Sequence, residues 1–107
     1  MATSKIGGGL VKGTLSGFTS DTIDNGCSIW KRNNVVTIAM NIKSVSGANA
    51  NLASCVPEGF RPQAQTCFIA GDGSVSGQSV GNVNFDGQLN IWFGSSKYCQ
   101  GFLTYVI

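Results

Sequence analysis

Between Val83 and Phe93 the chain reads V-N-F-D-G-Q-L-N-I-W-F, two short runs about an Asp86-Gly87 pair. Such a pair between alternating apolar residues is the strongest short-range signal for a β-hairpin. The loop length follows from register. A two-residue loop at Asp86-Gly87 pairs Phe85 with Gln88 and leaves both faces half apolar. A three-residue loop, Phe85-Asp86-Gly87, pairs Asn84 with Gln88 and puts Gly87 at the left-handed position such loops require. Val83, Leu89, Ile91 and Phe93 then share one face, and Asn82, Asn84, Gln88, Asn90 and Trp92 share the other. A slip of one residue exchanges the faces, so the clean segregation selects the three-residue loop. It also sets Trp92 among amides, outside the protomer's core.

The same alternation recurs elsewhere. Cys27 to Ser44 reads as a hairpin about Asn33-Asn34, because asparagine tolerates the left-handed conformation of a tight turn. Val36, Ile38, Met40 and Ile42 alternate with Thr37, Ala39, Asn41 and Lys43, the pattern of a half-buried strand. A two-residue turn sends Cys27 and Ile29 inward and Trp30 outward beside Thr37. A three-residue turn sends Trp30 inward, and the first buries more aliphatic positions. Leu10 to Phe18 is a weak strand broken by Gly13 and Gly17, and Ser20 to Gly26 is turn-like. Val45 to Ser54 reads as a loop, and Pro57 and Pro62 bracket a turn at Glu58-Gly59. Gln65 to Ala70 is a strand stopped by Gly71-Asp72-Gly73, Ser74 to Gly81 is a loop or thin strand, and Tyr98 to Ile107 is a last strand. No segment keeps a helical period. The fold class is therefore all-β, an antiparallel jelly-roll-like sandwich or barrel.

The 107 residues suffice for one domain with a real core. Residues 1–12, with Gly7-Gly8-Gly9, read as a flexible lead-in or a connection to a missing upstream region, and 13–107 as the barrel domain. The lead-in carries no apolar stretch resembling a signal peptide. Charged residues are 11% of the chain, against roughly 25% in an average domain. A surface so poor in charge is sticky for a monomer, which points to an oligomer. A net charge of +2 is too small to imply nucleic acid as a partner. Mean hydropathy is slightly positive, yet no apolar run approaches the ~20 residues of a membrane span, so no membrane insertion is expected.

Cys27, Cys55, Cys67 and Cys99 are widely spaced, without a C-x-x-C, and the chain has no histidine. A mixed zinc site is thereby excluded, and no metal or cofactor is expected. Two disulfides are compatible with the count, in three connectivities. Cys27 and Cys67 lie inside apolar runs, where cysteine behaves as a small hydrophobe, so free buried thiols are the expectation.

Without histidine the usual Ser-His and Cys-His nucleophiles cannot be built, and the chain does not read as an enzyme. The five carboxylates, Asp21, Asp24, Glu58, Asp72 and Asp86, all fall in turns. Asp21 and Asp24 lack the spacing of a calcium loop and read as turn and capping residues. A glycosidase needs two facing carboxylates, and nothing in the spacing brings Asp72 to Asp86. What remains is a binding surface. Sugars offer hydroxyls and weakly apolar C–H faces, and suit an aromatic plate ringed by amides and carboxylates. Trp92 with Asn90, Asn84 and Gln88 has that chemistry, and Asp72 and Tyr98 are further candidates. The competing reading is that Trp92 anchors a subunit interface. Arg32 and Arg61 belong to solvated surface or to an interface.

Two segments resemble a known family. Val56-Pro57-Glu58-Gly59-Phe60-Arg61-Pro62 is similar to a Leu-Pro-x-Gly-Phe/Tyr-Arg-Pro segment, with valine where leucine is usual. Val83 to Ile91 is similar to a later I/V-x-x-D-G-x-L/I-x-I segment, and the strand N-N-V-V-T-I-A-M precedes both. Together they resemble the C-terminal head domains of tail-fibre and receptor-binding proteins of phages infecting Gram-positive bacteria, over Ile29 to Ile107. The resemblance implies a compact β-barrel or jelly roll that forms a homotrimer at the tail tip or baseplate of a virion. It implies recognition of host cell-wall saccharides near or between protomers, and attachment to an upstream fibre or baseplate protein. The matched motifs are fold-forming turns and transfer no saccharide contacts. The four cysteines depart from the family pattern, while virion assembly in a reducing host cytoplasm favours free thiols. Weak binding per site would be strengthened by multiple copies. The alternative class is a trimerising structural or protein-interaction jelly roll of the C1q or tumour-necrosis-factor kind, without glycan binding.

Overall fold

A computed structural model describes residues 9–107, so most of the expected lead-in lies outside the described residues. Nine strands occur among them: β1 (Val11–Gly13), β2 (Thr22–Asp24), β3 (Ser28–Arg32), β4 (Val35–Ser44), β5 (Ala50–Leu52), β6 (Thr66–Gly71), β7 (Gln78–Val83), β8 (Leu89–Trp92) and β9 (Tyr98–Val106). All pairings are antiparallel, in the order β1-β3-β4-β9-β6-β7-β8-β5. β2 sits beside β4 past the end of β3, with Thr22 opposite Ser44. The single sheet curls into a half-barrel, and the described residues contain no helix.

The hairpins follow their periodicity. Leu89 pairs with Val83 and Asn90 with Asn82. The Asn84 N–H donates to the Gln88 carbonyl at 2.9 Å, and Gly87 closes the three-residue loop at φ 86°. In the other hairpin Arg32 faces Val35 across Asn33-Asn34, Asn33 is left-handed at φ 55°, and Trp30 stands outward beside Thr37. Thus both turn lengths chosen by segregating apolar from polar side chains are the observed ones. The Glu58-Gly59 turn is present too, closed by the Phe60 N–H on the Pro57 carbonyl.

Two elements differ from expectation. Ser20 to Gly26, read as a turn, contains β2, and Val45 to Ser54, read as a loop, contains β5. Each strand is three residues long, too short to display a period, and each exists because a longer neighbour offers an open edge. β1 falls within Leu10 to Phe18, read as a weak strand, and begins at Val11, inside the stretch read as lead-in. Ser74 to Gly81 resolves into a loop and the first four residues of β7, which has 6.

The concave face carries the core. Ile29, Val36, Ile38 and Ile42 are buried against Val83, Leu89 and Ile91, with Leu103 and Tyr105 between them. Val56 and Phe60, from the segment before β6, close one side of this face. The Tyr105 hydroxyl donates to the buried carbonyl of Phe60, which ties that segment to the last strand.

All four cysteines are free thiols. Cys55 and Cys99 are buried, and Cys27 is half-buried with its sulfur bonded to the main chain of Asn41. Cys67 corrects the expectation of burial. It lies on the outward parity of β6 and is exposed, because the apolar run around it has both faces of a strand to fill. Burial pushes the Cys55 thiol up to about 11 and the Cys99 thiol up to about 12. Only the thiolate attacks a disulfide reagent. At mildly alkaline pH an aromatic disulfide should therefore modify Cys67 first, with Cys55 and Cys99 reacting only on unfolding. Cys67→Ser should abolish the fast phase, and rapid reaction of two or more thiols in that variant would contradict the burial.

Candidate functional site

The convex face of β6, β7 and β8 is laid out in rows by strand pairing. One row runs Ile69–Val80–Trp92. Pairing of Gly71 with Gln100 places Phe102 of β9 abreast of Ile69, so the row extends onto β9. These side chains are open to solvent: Ile69 is 70%, Phe102 71%, Trp92 45% and Val80 37% exposed. The next row, Cys67–Asn82–Asn90–Asn51, is polar. The Asn90 amide donates to Asn82 Oδ1 at 2.8 Å. Beyond it Gln65 Nε2 donates to Asn84 Oδ1 at 2.9 Å, and Asn84 Nδ2 to Gln88 Oε1 at 3.4 Å. The amides thus brace one another. Each uses only part of its capacity of two donors and two lone pairs, so the ladder keeps free groups toward solvent.

Trp92, Asn90 and Gln88 therefore share one strand face, with Asn84 opposite Gln88. Trp92 stands at the boundary of the apolar row and the amide ladder.

Asp72 and Tyr98 are elsewhere. Asp72 is wholly covered, by the loop between β6 and β7 and the loop between β8 and β9. Its Oδ1 accepts from the Ser74 hydroxyl at 2.6 Å and the Ser74 N–H at 3.0 Å. Its Oδ2 accepts from the Ser95 hydroxyl at 3.3 Å and the Ser96 N–H at 3.4 Å. Space is so tight that a Cβ on Gly94 would lie 2.3 Å from Oδ2. The Ser74 hydroxyl first, then the Ser74 and Ser96 N–H groups and the Ser95 hydroxyl, hold the carboxyl below its usual range. The cover is a single layer of loop, so desolvation opposes the charge less than these bonds favour it. Asp72 fastens two loops. Tyr98 lies against Gly73, with Lys43 Nζ 5.7 Å from its ring centroid. The Tyr98 carbonyl accepts the Ser79 hydroxyl, and Ser79 Oγ accepts the Gly94 N–H at 3.2 Å, so Tyr98 belongs to the loop junction around Asp72.

The Asp72 contacts carry a pH dependence. A carboxyl whose folded pKa is depressed adds stability above its unfolded value, here 3.8, and loses it as pH falls through the lower folded value. Hydrogen exchange at the Ser74 and Ser96 amides should accelerate relative to β4 as pH is lowered past 3.8, and Asp72→Asn should flatten that change. Equal pH profiles for the two proteins would contradict the fastening role.

Two other carboxylates are bound within their own turns. Asp24 Oδ1 accepts the Gly26 and Cys27 N–H groups at 2.9 and 2.7 Å, and Asp86 Oδ1 accepts the Gln88 N–H at 3.0 Å. This agrees with the turn and capping role read for Asp24 and the turn position read for Asp86. Arg61 is not simply surface: its Nε donates to the Val56 carbonyl at 2.8 Å, while the Val56 N–H donates to Gly87 at 2.9 Å. The two motif segments of the sequence are therefore one packed unit.

Reasoning from sequence missed Ile69, Val80 and Phe102 as partners of Trp92. Their outward parity is readable in each strand, but their alignment depends on which strands are neighbours. Comparison with protein-family models yields no match, and comparison with curated proteins yields none either.

Proposed function

We propose that the chain is the distal, non-catalytic head of a phage or prophage tail fibre or baseplate receptor-binding protein. It would be jelly-roll-like, trimeric, carried by an upstream fibre or baseplate protein of the virion, and specific for host cell-wall saccharide. The observation that carries this reading is Trp92, projecting from the convex face beside a braced ladder of amides. An indole supplies a plate for the C–H face of a sugar, and fixed amides meet its hydroxyls with little ordering cost. The union of the Val56–Pro62 and Val83–Ile91 segments through Val56, Gly87 and Arg61 supports the resemblance that suggested the class.

The apolar row favours a second reading. Phe102, Ile69 and Val80 form an exposed hydrophobic strip suited to another protomer, and Trp92 would be its last anchor. A purely structural trimerising cap needs nothing more. Mass in solution and a glycan array, measured on the same variants, separate the two. For a receptor-binding head, Phe102→Glu dissociates the oligomer, and Trp92→Ala keeps the oligomer but weakens glycan binding about tenfold or more. A cap gives no glycan signal and loses its oligomer with Trp92→Ala. A monomer without glycan signal rejects both.

A further inference from the structure

We propose that the seam of the half-barrel holds a separate sugar subsite, which takes one uncharged sugar ring through two neighbouring hydroxyls. The inference deepens the saccharide-binding reading above and rests on it. β5 is the last strand of the sheet, and β2 occupies the open edge of β4. Curling of the sheet brings the corner before β2 against β5, leaving a cleft of about 180 Å³ between Thr19, Asp21 and Thr22 on one side and Asn49 to Leu52 on the other. That is below the ~300–1,000 Å³ of sites for drug-sized ligands, and suits a single ring better than a peptide.

Its walls are fixed in advance. The Ser46 N–H and hydroxyl donate to Asp21 Oδ1 and Oδ2 at 2.9 and 2.8 Å. The Asp21 carbonyl accepts the Val45 N–H at 2.8 Å, and the Thr19 and Thr22 hydroxyls meet at 2.9 Å. Opposite them Ala50 and Leu52 are locked into pairing with Ile91 and Leu89.

The capacity left over points to hydroxyls. Each Asp21 oxygen accepts one bond and retains a lone pair, an arrangement that receives two adjacent O–H donors. The amide of Asn49 bonds no side chain among the described residues, and the residue is exposed. The main chain of Asn51 is open as well. The Asn84 N–H donates to the Gln88 carbonyl and the Asn84 carbonyl accepts the Gly87 N–H, so Asn84 bonds across the hairpin; by alternation Asn90 bonds β7 while Leu89 and Ile91 bond β5 through Leu52 and Ala50. The N–H and C=O of Asn51 are thereby turned away from β8, toward the seam. Ala50 and Leu52 add an apolar part to the wall for the C–H face. The lining has one carboxylate and no basic residue, so a phosphate or uronate is disfavoured.

The test is backbone-amide NMR on the full chain. It is titrated with methyl glycosides of glucose, rhamnose and N-acetylglucosamine, and with glucose 6-phosphate as the anionic comparison. Expected are shifts at residues 19–22 and 49–52 with a neutral glycoside, and weaker binding of the phosphate. Asn49→Ala should unfold at the wild-type urea midpoint and bind about three- to tenfold more weakly. Trp92→Ala should leave these shifts unchanged. Shifts confined to Trp92 and Asn90 overturn the seam subsite while sparing the saccharide reading. Shifts at neither place overturn both, and tighter binding of the phosphate overturns the neutral-sugar class.

Discussion

Gly87→Ala is expected to cost about 2–5 kcal/mol, a large part of the ~5–15 kcal/mol by which a domain of this size is stable. Two effects combine. Gly87 has φ 86°, where a residue with a Cβ pays about 1–2 kcal/mol. An added Cβ would also lie 2.4 Å from the Val56 carbonyl and 2.5 Å from Arg61 Nε, in the segment before β6 on which the loop docks through the Val56 N–H to Gly87 carbonyl bond. Arg61 is flexible and can retreat, but the carbonyl is backbone. Overpacking of this kind adds about 1–3 kcal/mol. Urea unfolding should show a lower midpoint at unchanged slope. Gly87→Asn separates the contributions, since asparagine tolerates the left-handed conformation but brings the same Cβ. Gly87→Ala within about 0.5 kcal/mol of wild type, the range of neutral surface changes, would mean that the loop is not docked on Val56.

Ile91→Ala should be comparably severe, about 2–5 kcal/mol, because Ile91 is fully buried and its removal leaves a cavity in the concave face. Its neighbour supplies the control. Trp92 is 45% exposed and points the other way, so Trp92→Ala should cost less than about 1 kcal/mol in the isolated chain despite removing a larger side chain. The contrast is a test of register, since a slip of one residue would reverse the order of the two losses. Equal losses would indicate that Trp92 is covered within its own protomer, and the convex-face site would be withdrawn.

Some of this was legible in the chain itself. The Val83–Phe93 hairpin and the Asn33-Asn34 hairpin were readable to the residue, because strand side chains alternate and only one turn length keeps apolar residues together. The outward set of Trp92 followed from the same parity. Asp72 was readable as a turn residue, but not as the fastener of two loops, because Ser95 and Ser96 lie 23 and 24 residues away.

Periodicity and turn chemistry are local properties, and they alone determined the all-β class, the longer strands, both hairpin registers and the side on which Trp92 stands. Tertiary structure decided the rest: the strand order that sets β9 between β4 and β6, the three-residue strands β2 and β5, the row from Phe102 to Trp92 and the seam cleft. The physical reason is range. Alternation between two faces acts over neighbouring residues, whereas the meeting of strands far apart in sequence is selected by how one curled sheet can close over a single core.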